Sequence, residues 1–174
     1  QTCPLPISGY QRGGIYRRIL AQRIIQHSCR DLSSMKSLLL MRHAKSSWKD
    51  ESLDDHDRPL NKRGKRDAPR MGNALRELQL IPDFIICSSA RRARKTAECV
   101  AFAADFRGET RITAELYMAS PDKILQILSQ TPDLFTCILL ICHNPSLEEL
   151  FERITGQSLA FSTAAVAQVR FDID

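Results

Sequence analysis

Each of three apolar runs in this chain of 174 residues is followed by histidine or arginine side chains. The three groups are Arg42 with His43, Arg91 with Arg92, and His143. The planar guanidinium of arginine binds phosphate oxygens through paired hydrogen bonds and stays charged at every working pH. Two arginines beside a histidine therefore indicate a site for a dianionic phosphate group.

Histidine can act in two ways beside such a phosphate. As a neutral imidazole it attacks phosphorus and forms a phosphoenzyme, and as imidazolium it neutralises the oxygens of the transferring group. His43 and His143 together allow one of each. Arginine and histidine supply the positive charge that a metal would otherwise supply, and the pattern lacks a carboxylate cluster for magnesium. We therefore expect neither a metal nor a cofactor.

Strands and helices are predicted to alternate along the chain. Short apolar runs predict buried strands, and apolar residues spaced by three or four predict helices between them. The predicted strands are 37–41, 84–87, 111–113, 136–142 and 165–171, and the predicted helices are 61–78, 93–104, 121–128 and 146–155. This alternation indicates an α/β fold with a mostly parallel central sheet.

The ends of the predicted strands bring the candidate residues together. In open α/β sheets, ligands bind outside the carboxyl ends of the strands. If the strands that precede Arg42, Arg91 and His143 are parallel neighbours, two histidines and at least two arginines meet at one edge of the sheet. The polar stretch 44–61 follows the first of these strands and is predicted to be a long functional loop.

Local signals predict where the helices begin and end. Asn61 should cap the first helix, and Pro69 inside it should kink the helix or mark a delayed start. Ser120 should cap the third helix. The sequence Ser146–Glu149 has the pattern of a capping box that opens the last helix, and Gly156 should end that helix.

Four segments, in order along the chain, resemble motifs of the histidine phosphatase superfamily, also called phosphoglycerate mutase-like. They are Leu40–Ala44 (Arg-His-Gly signature), Arg58–Gly64 (Pro-Leu-x-x-x-Gly), Ser88–Ala97 (Arg-Ala-x-x-Thr-Ala) and Cys142–Pro145 (Gly-His-x-Pro). The resemblance spans about residues 36–172. The short chain and its Arg-His-Ala variant look most like the phosphohistidine phosphatase (SixA) branch. The resemblance implies a three-layer α/β/α, phosphoglycerate mutase-like fold.

The resemblance implies a role for each matched residue. His43 would be the nucleophile that becomes phosphorylated. Arg42 and Arg92 would hold the phosphoryl oxygens. His143 would complete the phosphate pocket and stabilise the transferring group.

Glu115 and Arg58 are two further candidates. Glu115 stands, in chain order, where the wider superfamily often has its proton donor, and the acids between Asp50 and Asp57 are its rivals. Arg58 would reach the rim of the phosphate pocket. The nitrogen group of a phosphoramidate leaves easily once it is protonated. A branch that acts on phosphohistidine therefore depends less on a dedicated acid.

The implied activity is that of a phosphatase that works through a phosphohistidine and removes phosphate from phosphohistidine in proteins. One alternative is a small-molecule phosphomonoesterase with the same site, and another is a non-catalytic relative that only binds phosphate. The expected partner is a phosphorylated protein or a small phosphorylated molecule. We expect a monomer that binds neither nucleic acid nor membrane.

Charge divides the chain near residue 34. Residues 1–34 hold five arginines and one acid, a net charge of +4, whereas residues 35–174 hold 20 basic and 19 acidic side chains, a net charge of +1. The nearly neutral body argues against a broad nucleic-acid surface. We therefore predict an N-terminal extension, 1–34, that is disordered or a targeting segment, and a histidine phosphatase domain, 35–174.

The composition of the extension leaves the cellular location open. An arginine-rich, acid-poor segment is typical of an organelle transit peptide, and residues 15–29 could form a weak amphipathic helix. The alternative is translated upstream sequence, with Met35 as the working start. Six cysteines without a Cys-x-x-Cys pair indicate a reducing compartment. We expect the cytoplasm, or a chloroplast or mitochondrion if residues 1–34 are a transit peptide.

Overall fold

A six-stranded sheet runs through the part of the chain that the structure, a computed structural model, describes: residues 25–26 and 37–171. Its strands are β1 (Ile25–Gln26), β2 (Ser37–Arg42), β3 (Phe84–Ser88), β4 (Glu109–Thr113), β5 (Cys137–Cys142) and β6 (Val166–Arg170). The helices are α1 (Lys62–Glu77), α2 (Arg91–Ala103), α3 (Pro121–Ser129) and α4 (Ser146–Thr155). The strands and helices predicted from periodicity are all present, with small shifts at their ends.

The strands lie in the order β1-β6-β2-β5-β3-β4. Strands β2, β5, β3 and β4 run parallel to one another. Strand β6 is antiparallel to β2 and carries β1 along its other edge. The prediction of an α/β fold with a mostly parallel sheet is therefore confirmed, and β5 lies between β2 and β3.

Side chains of the parallel strands alternate between the two faces of the sheet, as the pleat of a strand requires. Leu38, Leu40 and Ile86 pack into a core formed with α3 and α4, whereas Leu39 and Ile85 pack into a core formed with α1 and α2. Burying each such side chain stabilises the fold by about 1.5–3 kcal/mol. The two cores, one on each face, give the predicted three layers.

The ends of three helices follow the predicted signals. The side chain of Asn61 accepts a hydrogen bond from the backbone N–H of Gly64, at 2.9 Å, at the start of α1. Ser120 accepts one from the N–H of Lys123, at 3.3 Å, at the start of α3. Gly156 ends α4 with a φ of 67°, a left-handed conformation that glycine adopts without strain.

Helix α1 differs from the prediction at Pro69. The helix begins directly after its cap, at Lys62, and runs through Pro69 to Glu77, so of the two predicted alternatives the delayed start is wrong and the kink stays a prediction. A proline inside a helix removes one backbone hydrogen bond. Packing of the buried face on both sides of the proline, at Ala68 and Met71, offsets that loss.

Helix α4 differs from the prediction at its start. The capping box predicted for Ser146–Glu149 is wrong, because the N-cap is Pro145 and no side chain caps the helix. The Oε1 atom of Glu148 instead accepts hydrogen bonds from the side chain of Asn144, at 2.6 Å, and from the N–H of Phe161, at 2.8 Å. Glu148, the residue before the acid of that pattern, therefore joins the start of α4 to the segment that contains Phe161.

The extension differs from the prediction where the structure describes it. Ile25 and Gln26 form β1 beside β6, with Ile25 opposite Val169, and are not helical. The edge of a sheet offers unpaired backbone groups that can pair with such a segment. The rest of the helix predicted at 15–29 lies outside the described residues. Within the described part of the chain, no helix combines the length and apolar character that a membrane span needs.

Candidate functional site

The carboxyl ends of three neighbouring parallel strands form the edge of the sheet where the predicted residues meet. Arg42, the last residue of β2, lies opposite Cys142, the last residue of β5. Cys87 of β3 lies opposite Ile141 of β5. Because the chain leaves the three strands at the same level, the residues that follow them share one cleft.

His43 is buried, and a hydrogen bond to the next residue fixes its ring. Its Nδ1 lies 2.8 Å from the carbonyl oxygen of Ala44. Because a carbonyl oxygen only accepts, Nδ1 carries the hydrogen and Nε2 keeps its lone pair, which faces Nε of Arg92 at 3.2 Å. Burial lowers the pKa of His43 to about 4, against the opposing effect of the Ala44 bond, and the charges of Arg92 and Arg42 lower it further. The ring is therefore uncharged at neutral pH.

The second histidine lies beside the first, with 4.9 Å between the ring centroids of His43 and His143. Nε2 of His143 is 2.8 Å from Oγ of Ser88, and Nδ1 is 3.5 Å from a terminal nitrogen of Arg92. A guanidinium only donates, so Nδ1 holds the lone pair and Nε2–H donates to Ser88. Burial lowers the pKa of His143 to about 3, and nearby His43 and Arg92 act in the same direction. The Asn144–Pro145 peptide bond, next along the chain, is cis.

Arg92 lies in the first turn of α2 and is almost completely buried, with 6% of its surface exposed. Besides its contact with His43, one terminal nitrogen donates to the carboxylate Oδ2 of Asp55, at 2.8 Å. The other donates to the backbone oxygen of the same residue. The guanidinium therefore connects both histidines with the loop that follows β2.

Asp55 is the centre of a second group of contacts. Its Oδ1 accepts a hydrogen bond from Arg58 at 2.6 Å, and its Oδ2 accepts hydrogen bonds from Arg92 at 2.8 Å and from the hydroxyl of Tyr117 at 2.9 Å. Burial acts to raise the pKa of Asp55, but the hydrogen bonds from Arg58, Tyr117 and Arg92 outweigh it and lower the pKa to about 2. The carboxylate is therefore ionised at neutral pH.

Arg58 reaches the site through Asp55 and is otherwise enclosed by its own loop. Its Nε donates to the carbonyl of Ser47, at 3.0 Å, and a terminal nitrogen donates to Oγ of Ser46, at 2.6 Å. The guanidinium carbon lies 3.0 Å from the centre of the Trp48 ring. These contacts leave only 5% of Arg58 exposed.

Arg42 precedes His43 at the end of β2, and its side chain is held by the segment before β6. One terminal nitrogen donates to the carbonyl of Phe161, at 2.7 Å. Its Nε is buried and has no hydrogen-bond partner within the described residues. Glu148 binds the backbone N–H of Phe161, so this acid fixes the carbonyl that holds Arg42.

The structure does not bring Glu115 to the other predicted residues. The turn after β4 directs its side chain to the surface, where it is exposed and forms an ion pair with Lys123. That ion pair lowers the pKa of Glu115. The same turn directs Tyr117, two residues later, to the carboxylate of Asp55.

A cavity of about 380 Å³ opens beside His143 and Arg92. Its lining residues are Asp55, Arg92, Leu116, Tyr117, Met118, Ala119, Ile124, Cys142, His143, Asn144, Pro145 and Ser146. The lining therefore combines charged and polar side chains with apolar ones. The ring of Tyr117 meets those of His143 and His56 edge to face, with centroids 5.7 and 4.9 Å apart.

The arrangement suits the binding and transfer of an anionic group. Two arginines and two uncharged imidazoles lie at this edge of the sheet, and the lone pair of each imidazole faces the guanidinium of Arg92. Cationic donors in a water-poor cleft stabilise developing negative charge. Over residues 25–26 and 37–171, no three His, Cys, Asp or Glu side chains are arranged to hold a metal ion.

Sequence reasoning did not single out several residues of this site. Ser88 and Thr96 lie within the matched motif Ser88–Ala97, and this position could have indicated that they belong to the site. Asp55 was one of several acids in a loop without periodicity, and Tyr117 was one of several residues after a short strand. His56 lies in the same loop as Asp55, and its Nε2 contacts Oγ of Ser89 at 2.9 Å.

Comparison with known proteins finds one family model and several proteins of similar sequence. The model of the histidine phosphatase superfamily (branch 1) matches residues 38–117. A chloroplastic protein of Arabidopsis thaliana is 34% identical over 145 residues, which cover 78% of this chain and 66% of that protein. A protein of Mycobacterium tuberculosis is 37% identical over 128 residues, which cover 74% of this chain and 77% of that protein.

Solved structures share the fold. The structure of a candidate phosphohistidine phosphatase SixA from Agrobacterium tumefaciens superposes with a TM-score of 0.72 and 26% sequence identity. The superposition covers 77% of this chain and 90% of that one. The three-layer arrangement described above is therefore also found in a solved protein of similar size.

Proposed function

Because the chain belongs to the histidine phosphatase superfamily and is a phosphatase, we propose that it removes phosphate from phosphohistidine in proteins, without a metal, through a phosphohistidine at His43. One observation carries the proposal. The hydrogen bond from Nδ1 of His43 to the carbonyl of Ala44, at 2.8 Å, leaves the lone pair on Nε2. That lone pair faces the guanidinium that would hold the phosphoryl group, and an uncharged imidazole is the nucleophilic form of histidine.

The cationic groups around Nε2 support phosphate binding. Arg92 lies 3.2 Å from Nε2 of His43, so a phosphoryl group bound to Nε2 would take the place of that contact. Arg42 uses one terminal nitrogen for the carbonyl of Phe161, and within the described residues its other N–H groups remain for phosphoryl oxygens. His143 would complete the set of donors after gaining a proton, because a dianion raises the pKa of a neighbouring imidazole.

The reaction takes two in-line displacements. In the first, Nε2 of His43 attacks phosphorus, the bond from phosphorus to the substrate breaks, and its electron pair leaves with the substrate. His43 then carries the phosphoryl group on Nε2 and keeps its hydrogen on Nδ1, so the ring becomes a cation that the Ala44 carbonyl stabilises. In the second, water attacks phosphorus, the P–N bond returns its electrons to Nε2, and dihydrogen phosphate leaves with both protons of the water.

The acids near the site favour a leaving group that brings its own proton. An alkoxide leaving group needs a carboxylic acid beside it. Glu115 is paired with Lys123 on the surface, and the hydrogen bonds to Asp55 keep that carboxyl ionised at neutral pH. The imidazole of phosphohistidine leaves as a neutral ring when its second nitrogen is already protonated. The SixA similarity supports the same choice.

The proposal is tested by trapping the phosphoenzyme. Wild type and His43→Ala are mixed separately with a ³²P-labelled phosphohistidine peptide, an aryl phosphate and an alkyl phosphate, and both acid-labile label on the protein and free phosphate are followed. We expect labelling that requires His43 and faster turnover of the peptide than of either ester. Turnover of the esters alone would favour a small-molecule phosphomonoesterase. Binding without label or release would favour a non-catalytic phosphate-binding relative.

The expectations about the binding partner, the oligomeric state and the cellular location stay predictions. A phosphorylated protein is the expected partner, and a monomer is the expected state, which sedimentation equilibrium measures directly. The chloroplastic location of the Arabidopsis relative belongs to that protein. Fusion of residues 1–34 to a fluorescent reporter distinguishes a targeting segment, which would move the reporter into an organelle, from one that leaves it in the cytoplasm.

A further inference from the structure

The carboxylate of Asp55 stands between Arg58 and Arg92 on one side and the cavity beside His143 on the other. It accepts hydrogen bonds from Arg58 and Arg92, and it also lines the cavity. Nearly half of the side chain, 46%, is exposed. A carboxylate at this position repels a phosphoryl group but attracts a cation placed beside it.

The carboxylate has capacity for one more donor. Its two oxygens offer about four lone-pair positions. Arg58, Arg92 and the hydroxyl of Tyr117 use three of them. Burial and the bond to Asp55 raise the pKa of Tyr117, so its hydroxyl stays protonated and keeps donating. The three donors fix the direction of the carboxylate, and the exposed remainder faces solvent and the cavity.

The chemistry of phosphohistidine supplies such a donor. One ring nitrogen is bound to phosphorus, and the other carries a hydrogen when the ring is an imidazolium. Cleavage of the P–N bond then releases a neutral imidazole, which is a far better leaving group than the imidazolate that an unprotonated ring would give. An acceptor that holds this hydrogen on the ring therefore favours the reactive form of the substrate.

We propose that Asp55 determines specificity by accepting a hydrogen bond from the second ring nitrogen of phosphohistidine. The inference rests on the function proposed above and names the group that recognises its leaving group. In the first displacement, the electron pair of the P–N bond passes to the ring nitrogen that loses phosphorus. The hydrogen held by Asp55 stays on the other nitrogen throughout, so the product is neutral histidine and no proton transfer is needed.

The volume and the lining of the cavity fit the same leaving group. The apolar part of the lining includes Leu116, Ile124 and Pro145, and Tyr117 stands next to Asp55. A volume of about 380 Å³ exceeds what a phosphate needs and accommodates an imidazole with its methylene group. A planar ring gains by packing against an aromatic side chain.

The test measures a ratio of activities, because Asp55 also contacts Arg92 and Arg58. Values of kcat/KM are determined for two substrates in wild type, Asp55→Asn and Tyr117→Phe. The substrates are the phosphohistidine peptide and 4-nitrophenyl phosphate, whose leaving group departs as the 4-nitrophenolate anion and needs no proton. We expect the ratio of peptide to aryl phosphate to fall about tenfold in Asp55→Asn, because hydrogen bonds to charged acceptors are stronger than those to neutral ones. Tyr117→Phe keeps the carboxylate, and the ratio should fall by a smaller factor.

The outcomes separate the inference from the function on which it rests. A merely structural role of Asp55 would displace the arginines and lower both activities in proportion, so an unchanged ratio would overturn the inference, whatever the absolute rates. Activity on the aryl phosphate shows that each variant is folded. If wild type itself fails to release phosphate from the peptide, the proposed function is wrong before any variant is considered, and the inference falls with it.

Discussion

The side chain of Thr96 and the backbone of Ala44 are joined by a hydrogen bond of 3.0 Å across 52 residues of chain. The same hydroxyl donates to the carbonyl of Arg92, at 2.7 Å. Thr96 is completely buried. One hydroxyl therefore sets the position of the segment that carries His43 relative to the helix that carries Arg92, and the 3.2 Å contact between their side chains depends on it.

Replacement of Thr96 by valine should weaken both the fold and the site. Valine has a similar shape but leaves the N–H of Ala44 buried without a partner, at a cost of about 1–3 kcal/mol in the free energy of unfolding. We also expect a lower kcat/KM, because His43 and Arg92 lose their common support. Urea unfolding and steady-state kinetics measure the two effects. Thr96→Ser keeps the hydroxyl and is the matched control; a loss in Thr96→Ser larger than that in Thr96→Val would show that the methyl group, not the hydrogen bonds, is what matters.

Replacement of Arg92 by lysine should impair phosphate binding although the charge is kept. Lysine cannot place one donor beside His43 and another beside Asp55, as the guanidinium does at 3.2 and 2.8 Å. Loss of one charge-assisted hydrogen bond lowers affinity about 10- to 100-fold. Calorimetric titration with inorganic phosphate measures the change. Arg94→Lys, at an exposed position of the same helix, is the control. Unchanged phosphate affinity in Arg92→Lys would contradict the role assigned to the guanidinium of Arg92.

The buried histidines should make stability depend on pH in a predictable direction. The pKa values of His43 and His143 are about 4 and about 3 in the fold, below the 6.5 of a free histidine. Between pH 6.5 and about 4 the unfolded chain therefore binds more protons than the folded chain, and the free energy of unfolding falls as the pH falls. Each histidine contributes at most about 1.4 kcal/mol per pH unit in this window.

Urea unfolding in phosphate-free buffers across that window measures the slope. His143→Gln removes one of the two groups, so its stability should depend less steeply on pH than that of wild type. Phosphate must be absent, because a ligand that binds only the folded chain raises apparent stability. The same slope in both proteins would mean that His143 does not contribute to the pH dependence.

Much of the fold follows from local patterns. The runs at 37–41, 84–87 and 136–142 are buried strands because each is apolar on both faces, as the central strands of a parallel sheet must be. Their common direction brings Arg42, His43, Arg92 and His143 to one edge without any knowledge of side-chain contacts. For these residues, position in the chain and strand polarity were enough to predict their proximity.

The parts that could not be predicted depend on loops. Asp55 is one of several acids in a stretch without periodicity, and only the folded loop shows which of them meets Arg92. Chain order pointed to Glu115 as a candidate acid. A short turn after β4 directs it to Lys123 and directs Tyr117 inward, and a rotation of one or two residues there decides which side chain faces the cleft.

Glu148 should be necessary for the position of Arg42 although it touches no predicted catalytic group. Its Oε1 accepts hydrogen bonds from Asn144 and from the N–H of Phe161, whose carbonyl accepts from Arg42 at 2.7 Å. Glu148→Ala removes the acceptor of the Phe161 N–H, which should lower the free energy of unfolding by about 1–3 kcal/mol, while Asn144 keeps its hydrogen bond to the carbonyl of Phe161 at 3.1 Å. A less constrained Arg42 should also raise KM for phosphorylated substrates.

Glu149→Ala is the matched control for Glu148→Ala. Glu149 is the next residue of the same first helical turn but is exposed, so it has the same favourable interaction with the helix dipole and none of the buried contacts. Glu148→Gln, which keeps an acceptor oxygen, should recover most of the loss in stability and in KM. Urea unfolding and steady-state kinetics on the four proteins separate the possibilities. If Glu148→Ala and Glu149→Ala lose the same amount, the carboxylate acts through the helix dipole and does not hold Arg42 in place.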